Sequence, residues 1–234
     1  MSIATRLRTL LDEHVDTVLR TLPTYRLAEE GRLSAAQLAA YLANLGWIMN
    51  QSFKSVAFAA EESARRDRPV AHAYYTTKLK EEIEHHAWAY EDVSRLEKDF
   101  QIRADFEPSV QARALIAAHQ ELILKDPAFY ITYVFYTEYV TITVGPDWMR
   151  LLRDRCGFDT SHFGVIDRHI ELDQAHTAEN MRDVDRIASE AGLSEAEMVA
   201  ALQVSMDAYA QVYSSLPMAV VPGTTGVESD ALAT

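Results

Sequence analysis

His169, Asp173 and His176, in the stretch RHIELDQAH, are the residues whose types and spacing speak most directly of chemistry. An α-helix turns about 100° per residue, so positions i, i+4 and i+7 fall within roughly 60° of arc. Two imidazoles and a carboxylate would then project from one face, with Glu171 on the opposite side. That donor set suits iron, manganese or zinc. The plain alternative is a polar helix face with incidental histidines.

A second cluster is KEEIEHHAW, residues 80–88. Glu82 and His85 form the Glu-x-x-His step by which di-iron carboxylate bundles set a carboxylate beside an imidazole. Glu81–His85 and Glu82–His86 are equally feasible at i, i+4, and a charged, solvated face is the bland reading. The third piece is Glu138, the only charged residue between Pro127 and Pro146, set among Phe135, Tyr136, Tyr139, Val140 and Ile142. A lone carboxylate buried there would cost several kcal/mol or take up a proton. Metal coordination, a buried basic partner or an exposed face would each relieve it. Three histidines and three carboxylates on three helices suit two metals with open positions. A hydrolytic zinc site would leave half of them unexplained. A haem would need one axial histidine, for which His14 is the candidate.

The elements that must position these groups read as helices throughout. Apolar periodicity predicts helices over 3–21, 33–66 and 70–99. Ser34 with Gln37 and Ser194 with Glu197 have the spacing of capping boxes. Further helices are expected over 109–124, 147–155, 159–191 and from 194 to about 215. The segment 128–144 is rich in Tyr, Val, Thr and Ile, which favours a strand locally. It is about three times a typical strand in length, so a buried helix closed by Gly145-Pro146 is the expectation. One helical domain over 1–215 with a loose tail over 216–234 follows.

The composition agrees with an all-α chain: glycine (8) and proline (7) are sparse among 234 residues, and 48% are hydrophobic. A formal charge of −13 without a basic stripe argues against nucleic acid. The single cysteine, Cys156, excludes an intramolecular disulfide and a Cys-based zinc or iron–sulfur site. No apolar leader and no stretch of bilayer-spanning length are visible, so no membrane is expected and the cytoplasm is the default compartment.

In order and approximate spacing, Glu81-Glu82-x-x-His85, the lone Glu138 and His169-x-x-x-Asp173-x-x-His176 resemble the haem-oxygenase-like di-iron oxidases and oxygenases. The resemblance spans about residues 30–210. It implies a single-domain haem-oxygenase-like bundle of about seven helices, with Glu82, His85, Glu138, His169, Asp173 and His176 as iron ligands. It further implies two Fe(II) ions, O₂ as co-substrate, an external reductant and a small amino-acid or fatty-acid-like substrate. Desaturation, oxidative C–C cleavage and N-oxygenation are the outcomes such proteins achieve, the first two being favoured here. Glu138, reaching in from a separate helix, is the expected catalytic carboxylate. The wider fold also holds haem oxygenases, thiaminase-like enzymes and a cofactorless oxidase. The glycine-rich distal helix that haem needs is missing, and Cys156 sits beside Gly157 rather than at the expected nucleophile position. A non-catalytic helical interaction module is the competing class, and the oligomeric state stays open, a homodimer included.

Overall fold

The computed structural model describes residues 1–104 and 106–215. Among these residues the regular structure is helical, with nine α-helices and three 3-10 turns. The expected tail over 216–234 lies outside the described residues.

The first predicted helix is shorter than its apolar pattern. It ends as α1 (Ile3–Thr17), a 3-10 turn follows at Leu19–Thr21, and α2 (Pro23–Glu29) starts with proline at its first turn. Proline there forfeits an amide that has no intrahelical partner anyway. Helix α3 (Ala35–Arg65) carries the expected capping box. The Gln37 amide donates to Ser34 Oγ at 3.3 Å, and Gln37 Oε1 accepts from the Ser34 amide at 2.9 Å. Ser194 and Glu197 repeat the device before α9 (Glu195–Ser215).

The predicted helix over 70–99 is two helices. α4 (Pro69–Glu81) stops at the acidic run, Glu84 adopts a left-handed conformation with φ 63°, and α5 (His85–Phe100) restarts immediately. Glu81, Glu82 and Glu84 would crowd like charges within one turn of a continuous helix. The break also gives Glu82 its pairing with His85, at 3.1 Å.

Helix α6 (Val110–Lys125) leads to α7 (Tyr130–Asp154), which merges two predicted helices and runs straight through Gly145-Pro146. Tertiary burial overrides the local signal. From Tyr130 to Tyr136 every side chain is buried, and α7 packs against α8 (Gly164–Ala191), α9 and α1. Its threonines satisfy their hydroxyls within the helix, Thr141 on the Thr137 carbonyl at 2.9 Å and Thr143 on that of Tyr139 at 2.7 Å. Gly145 lets α7 and α8 approach, since a Cβ there would lie 2.9 Å from Ile170. Gly46 does the same between α3 and α5, where a Cβ would come within 3.1 Å of Ala89. None of the described helices is long and apolar enough to cross a membrane.

Candidate metal centre

Helix α8 presents the expected face. His169 meets His85 and Trp88 of α5, His176 lies 3.6 Å from Glu81 of α4 and 3.7 Å from Glu138 of α7, and Asp173 is paired with His176. Asp173 and His176 are buried and His169 half-buried. The N-terminus of α8 is held from α5, where Asp92 accepts the Val165 amide at 2.8 Å. Burial pushes the Asp92 carboxyl up to about 6, with that amide and Arg95 opposing. His169 Nδ1 lies 2.7 Å from the Val165 carbonyl. A carbonyl only accepts, so Nδ1 carries the proton and Nε2 keeps its lone pair for a metal.

Two overlapping groups of donor atoms form here, each within 4.8 Å: Glu82, His85 and His169, and Glu82, Glu138 and His176. Glu82 is common to both and could bridge. Burial pushes its carboxyl up, but His85, His169 and Lys78 together hold it below the ordinary value. Trp88 stacks on His85 with ring centroids 4.1 Å apart and meets His169 at 5.4 Å, fixing both imidazoles of the first group. Asp173 belongs to neither group. Its Oδ1 lies 3.3 Å from His176 Nδ1, and that hydrogen bond holds the imidazole pKa above its ordinary value against burial.

The sequence leaves open whether Glu81 or Glu82 joins the imidazoles, and the broken helix separates their roles. Glu82 faces His85, whereas Glu81 Oε2 sits 3.0 Å from Lys78 Nζ and 3.6 Å from His176 Nε2. Lys78 is the residue that sequence reasoning missed. Only 2% exposed, it places Nζ 3.1 Å from Glu138 Oε1. It is the buried basic partner that a lone carboxylate among apolar residues called for. Nothing in KLKEEIEHH distinguishes it from an ordinary surface lysine.

Glu138 is 5% exposed. Its second oxygen accepts from the Asn180 side-chain amide, and Asn180 is in turn fixed by the Tyr74 hydroxyl at 2.6 Å. Burial pushes the Glu138 carboxyl up to about 8, opposed by Lys78 and reinforced by Asp173. Burial also draws Lys78 down, but Glu138 and Glu81 outweigh it and hold the ammonium above its ordinary value. The charged lysine is the side of this exchange that the geometry supports, because two carboxylates face one cation.

Beside these groups opens a cavity of about 220 Å³. Lys78, Glu82, His85, Glu138, His169 and Asp173 form its polar end. Elsewhere it is walled by side chains such as Leu45, Ile48, Met49, Val140 and Val144 and by the aromatic residues Tyr41, Tyr133 and Trp148. Trp47, Trp88 and Tyr136 are not among the lining residues. His14 does not line it either. That ring is buried 5.9 Å from Tyr136, and burial lowers its pKa. Cys156 also lies outside the lining, its thiol 3.6 Å from the Ala28 carbonyl.

No family model and no curated protein matches the sequence. Solved structures do match. A domain of unknown function with a heme oxygenase-like fold from Shewanella denitrificans superposes with TM-score 0.76 at 15% identity, covering 92% of this chain and 91% of that one. A CADD-like protein of unknown function from Nostoc punctiforme gives 0.68 at 14% identity, with 92% and 97% covered. A TenA homolog from Pseudomonas syringae pv. tomato gives 0.65 at 16% identity, with 92% and 91% covered. At such identities the likeness shows the fold, and the fold is haem-oxygenase-like.

Proposed function

We propose that this chain is a non-haem iron oxidoreductase that uses O₂ to oxidise a small amine or carboxylate with an aliphatic body, by desaturation or oxidative C–C cleavage. One observation carries the reading: Glu82, His85 and His169 converge at the polar end of an apolar cavity. Two imidazoles and one carboxylate with open positions are the donor set of ferrous oxygenase sites. The half-buried donors and the protonated Nδ1 of His169 fit such an ion.

Ferrous iron held there would supply the electrons that O₂ needs to attack an unactivated carbon, with an external reductant restoring it. The chain's own residues account for the rest. Val165 fixes the tautomer of His169, and Trp88 fixes the planes of both imidazoles, the outer-shell support on which metal sites depend. Ile48, Met49, Val140 and Val144 exclude water and accept an aliphatic chain, leaving its polar head among the charged groups. The fold resemblance implies two ferrous ions on six ligands. Glu138 and His176 are present for the second, with Asp173 held behind His176, but their arrangement includes the Lys78 ammonium.

Anaerobic loading with ferrous iron, followed by O₂-consumption screening of aliphatic amines, amino acids and fatty acids, tests the proposal. Iron-dependent turnover that disappears in His85→Ala and His169→Ala is expected. Preference for zinc with no iron-dependent turnover would overturn it.

A further inference from the structure

We propose that the Lys78 ammonium is the resident second cation of this centre, so that the chain holds one metal ion, at Glu82, His85 and His169. The inference deepens the reading above and rests on that triad being the metal site.

The second donor group is already committed to protein partners. Glu138 Oε1 meets Lys78 Nζ at 3.1 Å, and Oε2 accepts from Asn180, which Tyr74 anchors. His176 Nδ1 is hydrogen-bonded to Asp173, and its Nε2 faces Glu81, the other carboxylate of the lysine. An ammonium has no lone pair to offer a metal. A divalent ion between Glu138 and His176 would therefore stand next to a fixed like charge, with Glu138 Oε1 drawn from its ion pair with Lys78 and Oε2 from the Asn180 amide. Lys78 cannot swing out to solvent without leaving burial, since it is 2% exposed.

The first group is less committed. His169 Nε2 has its lone pair free, and Glu82 is paired with His85, with Lys78 acting on it through charge and not through an ion-pair contact. The Lys78 contacts are ion pairs and are not aligned as hydrogen bonds, since Nζ lacks a well-directed partner. Lys78 thus supplies charge where a second metal would, without fixing donor directions.

The experiment is an anaerobic titration of the full chain with ferrous iron, read by elemental analysis, and with Mn(II), read by electron paramagnetic resonance. Wild type should saturate at one ion per chain with the spectrum of an isolated Mn(II). Glu138→Ala should retain that ion and His85→Ala should lose it. Lys78→Met should take up a second ion and show exchange broadening, whereas Lys78→Arg, which keeps the charge, should stay at one. Circular dichroism melts establish that each variant is folded. Wild-type binding of two ions would overturn the inference and leave the iron-oxidase reading standing. Loss of the single ion in Glu138→Ala but not in His85→Ala, or a folded Lys78→Met that stays at one, would also overturn it. Should wild type bind none, the oxidase reading itself falls and carries this inference with it. The wild-type count and the Glu138→Ala and His85→Ala results decide the matter even if Lys78→Met does not fold.

Discussion

Replacing Lys78 and Glu138 by methionine, singly and together, should expose the energetics of the buried pair in the metal-free protein. At pH 9, with Glu138 ionised, the charges are 3.1 Å apart. At an effective dielectric constant of about 20 their attraction is roughly 5 kcal/mol. Glu81, 3.0 Å from Lys78, still holds the ammonium in Glu138→Met, so that variant should lose about 3 kcal/mol, the low end for breaking a buried pair. Lys78→Met leaves Glu81 and Glu138 without the cation, with Asp173 still acting on Glu138, and should lose about 3 to 5 kcal/mol. The double variant, an apolar pair of similar volume, should lie near wild type, because buried ion pairs roughly break even against hydrophobic replacements. The coupling in the cycle is then about 6 kcal/mol or more, and the stranded Asn180 amide cancels from it.

The pH dependence has a definite sign. Burial raises Glu138 to about 8, so the native state keeps a proton that the unfolded chain releases near the ordinary carboxylate value. Stability therefore falls as pH rises through the interval between those values. Lys78 limits that fall, and removing it deepens the loss. The penalty of Lys78→Met relative to wild type should thus be small at pH 5 and full at pH 9. Urea denaturation with a chelator present measures all four proteins. Additive single effects at pH 9, or a Lys78→Met penalty that does not depend on pH, would refute the ion pair as described.

His119, fully buried with its pKa pushed down to about 3, must be neutral in the folded state. Wild type should lose about 3 kcal/mol relative to His119→Asn as pH falls from 7 to 4, with denaturation curves at both pH values as the check. Trp88→Ala should weaken metal affinity by roughly 10-fold by freeing both imidazoles, with Trp88→Phe recovering most of it in a calorimetric titration. Hydrogen exchange with and without ferrous iron should show protection rising more around residues 78–90, where the helix breaks, than around 165–180. Equal protection in both segments and states would mean a preformed site.

Local order carried much of this protein. The 3.6-residue period alone places His169, Asp173 and His176 on one face, and the side chains of Ser34 and Ser194 find their caps within three residues. The lone Glu138 in an apolar stretch announces a buried carboxylate in want of a partner, because the cost of burying a charge depends little on the rest of the fold. What tertiary structure decided is everything that needs a neighbour from elsewhere in the chain. Gly145-Pro146 reads as a helix end, but burial against α8 and α9 carries α7 through it. Glu81 and Glu82 look interchangeable until the break at Glu84 turns one toward His85 and leaves the other on Lys78. Lys78 itself reads as a solvated residue in a charged run. Only the packing of α4 against α3 and α8 takes it out of water, and burial beside Glu138 converts an ordinary lysine into the fixed cation of the site.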